Sequence, residues 1–136
     1  LGGSGDATCG NAAGYGEGSS GRGLPSAGRA PMRVCYHIQT YRSPDLVTRL
    51  ARRIRRSSPE AIIHVSHDVR GTPLQRAELH AVPDLHLTVD RGGRGDFNTV
   101  DRWLACVRWL GDQRIDCDWL VNLTGQDYPV RPLADV

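Results

Sequence analysis

The feature that most constrains this chain is an alternation of two hydrophobic periods, starting at Met32 and repeating toward the end of the sequence. Val34, Tyr36 and Ile38 occupy every second position, the spacing that lines one face of a strand. Ser43, Pro44 and Asp45 follow: a hydroxyl for an N-cap, a proline suited to a first helical turn, and an acid for the positive helix end. Behind them Leu46, Val47, Leu50, Ala51 and Ile54 recur at helical spacing, and Pro59 closes the unit. Ala61 to Val65 reads as a compact second strand, with HVSHD at its carboxyl end. Thr72 and Pro73 repeat the cap-plus-proline signal and predict a short helix through about His80. Leu85, Leu87 and Val89 mark a third strand. The turn RGGRGD then feeds a helix whose Phe97, Val100, Trp103, Leu104, Val107 and Leu110 are assigned to one face. Asp118 to Leu123 is the fourth strand, and TGQDYP is the turn after it.

Strands separated by helices pair in parallel through crossovers. The expected fold class is therefore α/β, a Rossmann-like half with a parallel sheet. The sequence runs out at Val136, inside what reads as another helix after Pro132, so this half-sheet is expected to be incomplete at its C-terminus. Residues 1–31 hold ten of the 16 glycines and carry no repeat. Such a segment buries too little apolar surface to offset its ordering entropy and is expected to be disordered. Met32, the one methionine, is expected to be the natural start, leaving residues 32–136 as the folding unit.

Composition removes several function classes. All 17 basic side chains are arginine, which reads as codon usage in a GC-rich genome. They are dispersed and balanced to a formal net charge of +2, which gives no footprint for nucleic acid. The densest run, Arg49, Arg52, Arg53, Arg55 and Arg56, falls on the first helix and reads as its solvated face. Cys9, Cys35, Cys106 and Cys117 have neither metal-ligand spacing nor a CxxC pair. Cys35 and Cys106 lie in apolar patterns and read as small core residues, so a cytoplasmic setting is expected. No apolar run approaches the roughly 18 residues of a membrane span, so no transmembrane segment is expected, and peripheral association with a membrane surface is compatible with the sequence.

In an open parallel sheet a ligand sits beyond the carboxyl ends of the strands. That rule selects Gln39 to Arg42, Ser66 to Arg70, Asp90 to Asp96, and Thr124 to Pro129. Gly92, Gly93 and Gly95 could let backbone approach phosphate oxygens, with Arg91 and Arg94 adding charge; equally, they could form a tight turn with Asp96 or Asn98 capping the helix. Asp116-Cys117-Asp118 matches a DxD metal pattern but precedes strand four, at the amino end of the sheet, and is rejected as a metal site. Of the histidines only His67 is assigned to a strand-end loop; His37, His64, His80 and His86 read as half-buried or surface residues, and no metal site is expected. Trp103 reads as core. Gln126 and Asp127 are the polar pair of most interest: the carboxylate either accepts hydrogen bonds from sugar hydroxyls or caps turn amides.

Taken together, these residues resemble the core-2/I-branching β-1,6-N-acetylglucosaminyltransferase family, which also includes peptide O-xylosyltransferases. The family's phrase NLSGQDYPI is matched by VNLTGQDYPV, Val121 to Val130. Its IHVD-type strand end is matched by IHVSHD, and its paired-glycine turn and long helix by RGGRGDFNTVDRWLACVRWL. Its first strand and helix correspond to CYHIQTYRSPDLVTRL, so the likeness runs in order from Arg33 to Val136.

The resemblance implies a GT-A type fold and an inverting transfer from a UDP-sugar, such as UDP-GlcNAc or UDP-xylose, to an acceptor hydroxyl, with no obligatory metal and no cofactor. It implies donor contacts at Gln39, Thr40, Ser66, Asp68, Arg91, Gly92 and Gly93, with Asp127 near the sugar. Two departures stand out: Ser66 replaces the family's usual Asp, with Asp68 two places on, and Arg91 replaces the tryptophan before the paired glycines. The family's catalytic glutamate would lie beyond residue 136, so this chain is expected to be inert alone. The alternative is a noncatalytic doubly wound module that binds a nucleotide or a protein partner. A receiver-type regulatory domain would carry acids after the first strand, where Gln39, Thr40 and Tyr41 stand instead.

Overall fold

The computed structural model describes residues 32–92, 97–131 and 133. Strand β1 is Val34–Thr40, helix α1 Pro44–Ser57, β2 Ile62–Asp68, α2 Arg76–His80, β3 Leu85–Asp90, α3 Asn98–Asp112 and β4 Trp119–Thr124. The four strands form one wholly parallel sheet in the order β3-β2-β1-β4. The α/β half-sheet expected from the alternating periods is therefore present. The expected segments 1–31 and the helix after Pro132 lie outside the described residues, as do Gly93, Arg94, Gly95 and Asp96.

The period-2 pattern divides the sheet into two unlike faces. Tyr36, Ile38, Ile63 and Val65 turn toward α1 and α2, where they join Val47, Leu50, Ala51, Ile54 and Leu79 in the main core. Leu50 and Ile54 are fully buried, so truncating either to alanine should cost about 2–5 kcal/mol. The opposite face packs on α3 through Cys35, Cys106 and Leu110. It is far more polar, with His37, Gln39, His64, Ser66 and Asp68 all buried.

Several local expectations are revised. Ser43 does occupy the N-cap of α1 with Pro44 behind it, but its hydroxyl makes no cap bond. Its carbonyl instead accepts the amides of Leu46 and Val47 at 3.0 and 3.3 Å. Helix α2 starts at Arg76, three residues after Pro73, with Gln75 as N-cap. HVSHD is part of β2 and not a loop beyond it, so His67 is a buried strand residue.

The largest revision concerns α3. Its buried positions are Arg102, Cys106 and Leu110, whereas Phe97, Val100 and Val107 are exposed. Trp109 stacks on His86 and tilts against His64, while Trp103, expected in the core, is only half-buried. The apolar stripe misled because the surface it was to cover is polar. Burial there goes to residues able to bond with histidine, serine and aspartate.

Candidate functional site

A strand order of 3-2-1-4 reverses direction between β1 and β4, and the crevice at such a switch point is where open α/β sheets hold ligands. The GQDYP turn is docked there. The Gly125 amide donates to the Gln39 carbonyl at 2.9 Å. A Cβ at Gly125 would come within 2.7 Å of Thr40 Oγ1 and 2.8 Å of Val47 Cγ2, so only glycine allows this approach. The turn closes on itself through Asp127, whose Oδ2 accepts the Thr124 amide at 2.6 Å. Of its two alternatives, Asp127 visibly performs the turn-capping one.

On the other side of Thr40 from this turn, at the carboxyl ends of β1 and β2, lies an open cleft of about 410 Å³ to which the turn contributes no lining residue. Tyr41, Arg42, Arg70, Gly71, Thr72 and Pro73 wall it. The Arg42 guanidinium lies 4.9 Å from the centre of the Tyr41 ring. The Gly71 loop is pinned to β1 by a bond from the Thr72 amide to the Tyr41 carbonyl at 2.8 Å. A depression of similar size, about 420 Å³, lies at the amino end among Arg33, Pro59, His86 and Trp109. Parallel sheets bind ligands at the opposite edge, so the carboxyl-end cleft is the better candidate.

Beneath the cleft a buried polar network fixes the strand ends. Arg102 Nε donates to Ser66 Oγ at 2.8 Å and stands 3.1 Å from Asp90 Oδ1 as an ion pair. Its Nη2 donates to the carbonyls of Ser66 and Thr40, the latter at 3.3 Å. Ser66 Oγ in turn donates to Asp90 Oδ2 at 2.9 Å. Asp68 accepts the Arg70 amide at 3.0 Å and the Arg70 guanidinium at 3.2 Å. Burial pushes the Asp68 carboxyl up, but the Arg70 bonds and the Gly92 amide outweigh it and hold the carboxyl below its ordinary value. Burial lowers the Arg102 guanidinium, against the opposing pull of Asp90 and Asp68. Burial, then the charge of Arg102, also lowers His67.

The expected donor contacts thus fall into groups. Ser66, Asp68 and Gly92 converge: a Cβ on Gly92 would lie 2.9 Å from Asp68 Oδ2 and 3.0 Å from Arg102 Nη1. The Gln39 side chain is already committed, donating to the Thr99 carbonyl at 2.9 Å and to Asn122 Oδ1 at 3.3 Å. Thr40 Oγ1 donates to the Arg42 carbonyl at 3.1 Å. Arg91 is exposed, and Gly93 lies outside the described residues. Asp127 does not join Ser66 and Asp68. It borders an apolar cavity with Tyr36, Leu50 and Val121, on the α1 side of the sheet.

The sequence reading missed Arg102 and the histidines. His37 and His64 are fully buried, not at the surface, because β1 and β2 are the central strands and α3 covers this face. Together with Cys106 they form a cluster whose ligand atoms all lie within 4.8 Å of one another. A hydrogen bond from Cys35 pulls the Cys106 thiol far down, and the same contact drives Cys35 up. Asp118, by contrast, sits at the amino end of β4 and accepts the Arg33 amide at 2.7 Å, as its place in the chain implied. No protein-family model matches this chain, and no curated protein does.

Proposed function

We propose that this chain is the nucleotide-sugar-binding part of an inverting glycosyltransferase of GT-A type. One observation carries the reading: the cleft at the carboxyl ends of β1 and β2 is walled by an aromatic ring, Tyr41, and two guanidiniums, Arg42 and Arg70. That combination suits a uridine diphosphate: the base stacks on Tyr41 as Arg42 swings from the ring to the diphosphate, and Arg70, held in place by Asp68, adds a second positive charge. The neighbouring GQDYP turn, held against β1 through Gly125, is the segment that most resembles such enzymes. In this reading the Arg102 network does not touch the donor; it holds the ends of β1, β2 and β3 at fixed separation beneath it. Asp127 stands near the sugar in addition to capping its turn.

Calorimetric titration of the chain with UDP, UMP and UDP-GlcNAc tests this. UDP should bind without added manganese and at least tenfold more tightly than UMP, and Arg70→Ala should remove most of that difference. Binding that requires manganese, or equal affinity for UDP and UMP, would contradict the proposal. If no uridine nucleotide binds, a noncatalytic partner-binding module becomes the better reading, favoured by the exposed Phe97, Val100 and Val107 of α3.

A further inference from the structure

The polar face beneath α3 contains a second group of residues that the donor cleft does not use. His37 and His64 are register partners on the two central strands, and Cys35 lies two residues before His37 on the same face. Cys106 descends onto them from α3. All four side chains are essentially inaccessible to solvent.

The bonding of this group is incomplete. His37 Nδ1 and His64 Nδ1 face each other at 2.9 Å, where only one of the two can carry a proton. The Nε2 atoms of both rings are buried and have no hydrogen-bond partner among the described residues. Two orphaned imidazole nitrogens in a dry interior are costly, roughly 1–3 kcal/mol each. A protein that needed only packing here would place aliphatic side chains, as it does on the opposite face.

We propose that His37, His64, Cys106 and Cys35 bind a zinc ion between the sheet and α3. One nitrogen from each ring and the two sulfurs make the Cys2His2 set of structural zinc sites. Tetrahedral zinc needs ligand atoms about 3.3–3.8 Å apart, given bonds near 2.0–2.3 Å. The three atoms already lie within 4.8 Å of one another, so small side-chain rotations bring them to that spacing. Cys35 bonds to Cys106 but stands outside that trio, so its side chain must turn to bring the sulfur in as the fourth ligand. Charge favours the same cation: two thiolates, each losing its proton to solvent on coordination, neutralise a dication and leave no net charge buried. His86 stacks on His64 and Trp109 tilts against it, with ring centroids 5.2 and 4.9 Å away, and the two close the group toward the amino-end depression. The ion would pin α3 to β1 and β2, at a place separate from the donor cleft, and the inference does not rest on the nucleotide-sugar reading.

The test is to strip the purified chain with a chelator, then titrate it with zinc and with cobalt as a spectroscopic stand-in. The expected result is uptake of one ion per chain, a rise in melting temperature, and a thiolate-to-cobalt charge-transfer band in the near ultraviolet. Cys106→Ser and His64→Gln should each abolish the band. The double variant Cys9→Ser, Cys117→Ser should leave it intact. Should a single variant fail to fold, His37→Gln and the cobalt spectrum of Cys35→Ser decide in its place. No stoichiometric uptake by the folded chain, or a band lost in the Cys9/Cys117 variant instead, would overturn the proposal.

Discussion

Arg102 Nε stands 2.8 Å from Ser66 Oγ and 3.1 Å from Asp90 Oδ1, so one guanidinium from α3 ties β2 to β3, while its Nη2 reaches the β1 carbonyl of Thr40. The Asp90 contact is an ion pair without hydrogen-bond geometry, because the Nε proton is directed at Ser66. Removing Arg102 takes the counter-charge from the Asp90 carboxylate beneath a helix and leaves it the bond from the Ser66 hydroxyl. Arg102→Met should therefore destabilise the chain by about 3 kcal/mol, near the lower end for broken buried pairs because Asp90 is partly exposed. Arg102→Lys should recover little, since an ammonium cannot make the forked contact. Urea unfolding measures both; a loss under about 0.5 kcal/mol would show that the network is not holding the strands.

Gly125 ties the GQDYP turn to β1, and there is no room for a side chain between it and Thr40 or Val47. Gly125→Ala should cost about 1–3 kcal/mol through overpacking. Pairing it with Thr40→Ser, which removes only the Thr40 methyl, should restore almost nothing, because Thr40 Oγ1 and Cβ and Val47 Cγ2, the atoms that meet the new Cβ, all remain. Thermal unfolding of the single and double variants checks this, and full rescue by Thr40→Ser would place the clash elsewhere.

His67 gives the fold a pH dependence whose sign follows from its lowered pKa. The unfolded chain has an ordinary histidine near 6.5, whereas folded His67 is held lower by burial and Arg102, against Asp68 and Asp90. Above pH 6.5 both states are neutral there and the residue has no effect. As pH falls through 6.5 the unfolded state takes up a proton that the folded state refuses, so stability drops until the folded pKa is reached. His86, also lowered by burial, acts in the same window. Asp68, being lowered, instead contributes stability that is lost only at more acidic pH, as its folded carboxyl protonates. His67→Gln should therefore flatten part of the decline between pH 7 and 5; denaturation midpoints across that range with an unchanged slope would contradict the assignment.

How far these features were legible in the sequence depends on which face of the sheet they occupy. On the α1 side, Val34, Tyr36, Ile38 and the stripe Val47, Leu50, Ala51 and Ile54 announce strand, helix and core together, since burial there is purely apolar. On the α3 side the alternate residues His37, Gln39, His64, Ser66, His86 and Asp90 look like the solvent face of an antiparallel sheet. The clue lay in combining two facts: helices between strands imply a sheet covered on both sides, so polar alternates must meet polar partners from a helix. Arg102 and Cys106 are those partners. Cys106 was legible as a small core residue from its apolar surroundings, but Arg102 was not, since apolar periodicity selects the exposed Phe97, Val100 and Val107 along with the buried Leu110.

Asp127 is exposed and already caps its turn. In Asp127→Asn the side-chain oxygen can still accept the Thr124 amide, so the turn should survive with a stability change under about 0.5 kcal/mol. If the carboxylate also meets the sugar, the same variant should weaken UDP-GlcNAc binding about tenfold while leaving UDP affinity within twofold. Calorimetry with the two ligands separates these effects. Parallel loss of both would leave Asp127 with its capping role alone.

The central claim is that the carboxyl-end cleft beside the GQDYP turn binds a nucleotide sugar, and amide chemical-shift mapping during a UDP-GlcNAc titration without added divalent metal tests it most directly. The account predicts saturable shifts concentrated at Tyr41, Arg42, Arg70 to Thr72 and Thr124 to Asp127, with the amino-end residues Arg33, Glu60 and Ile115 unmoved. Shifts centred on that amino-end group, or none up to millimolar ligand, would contradict it.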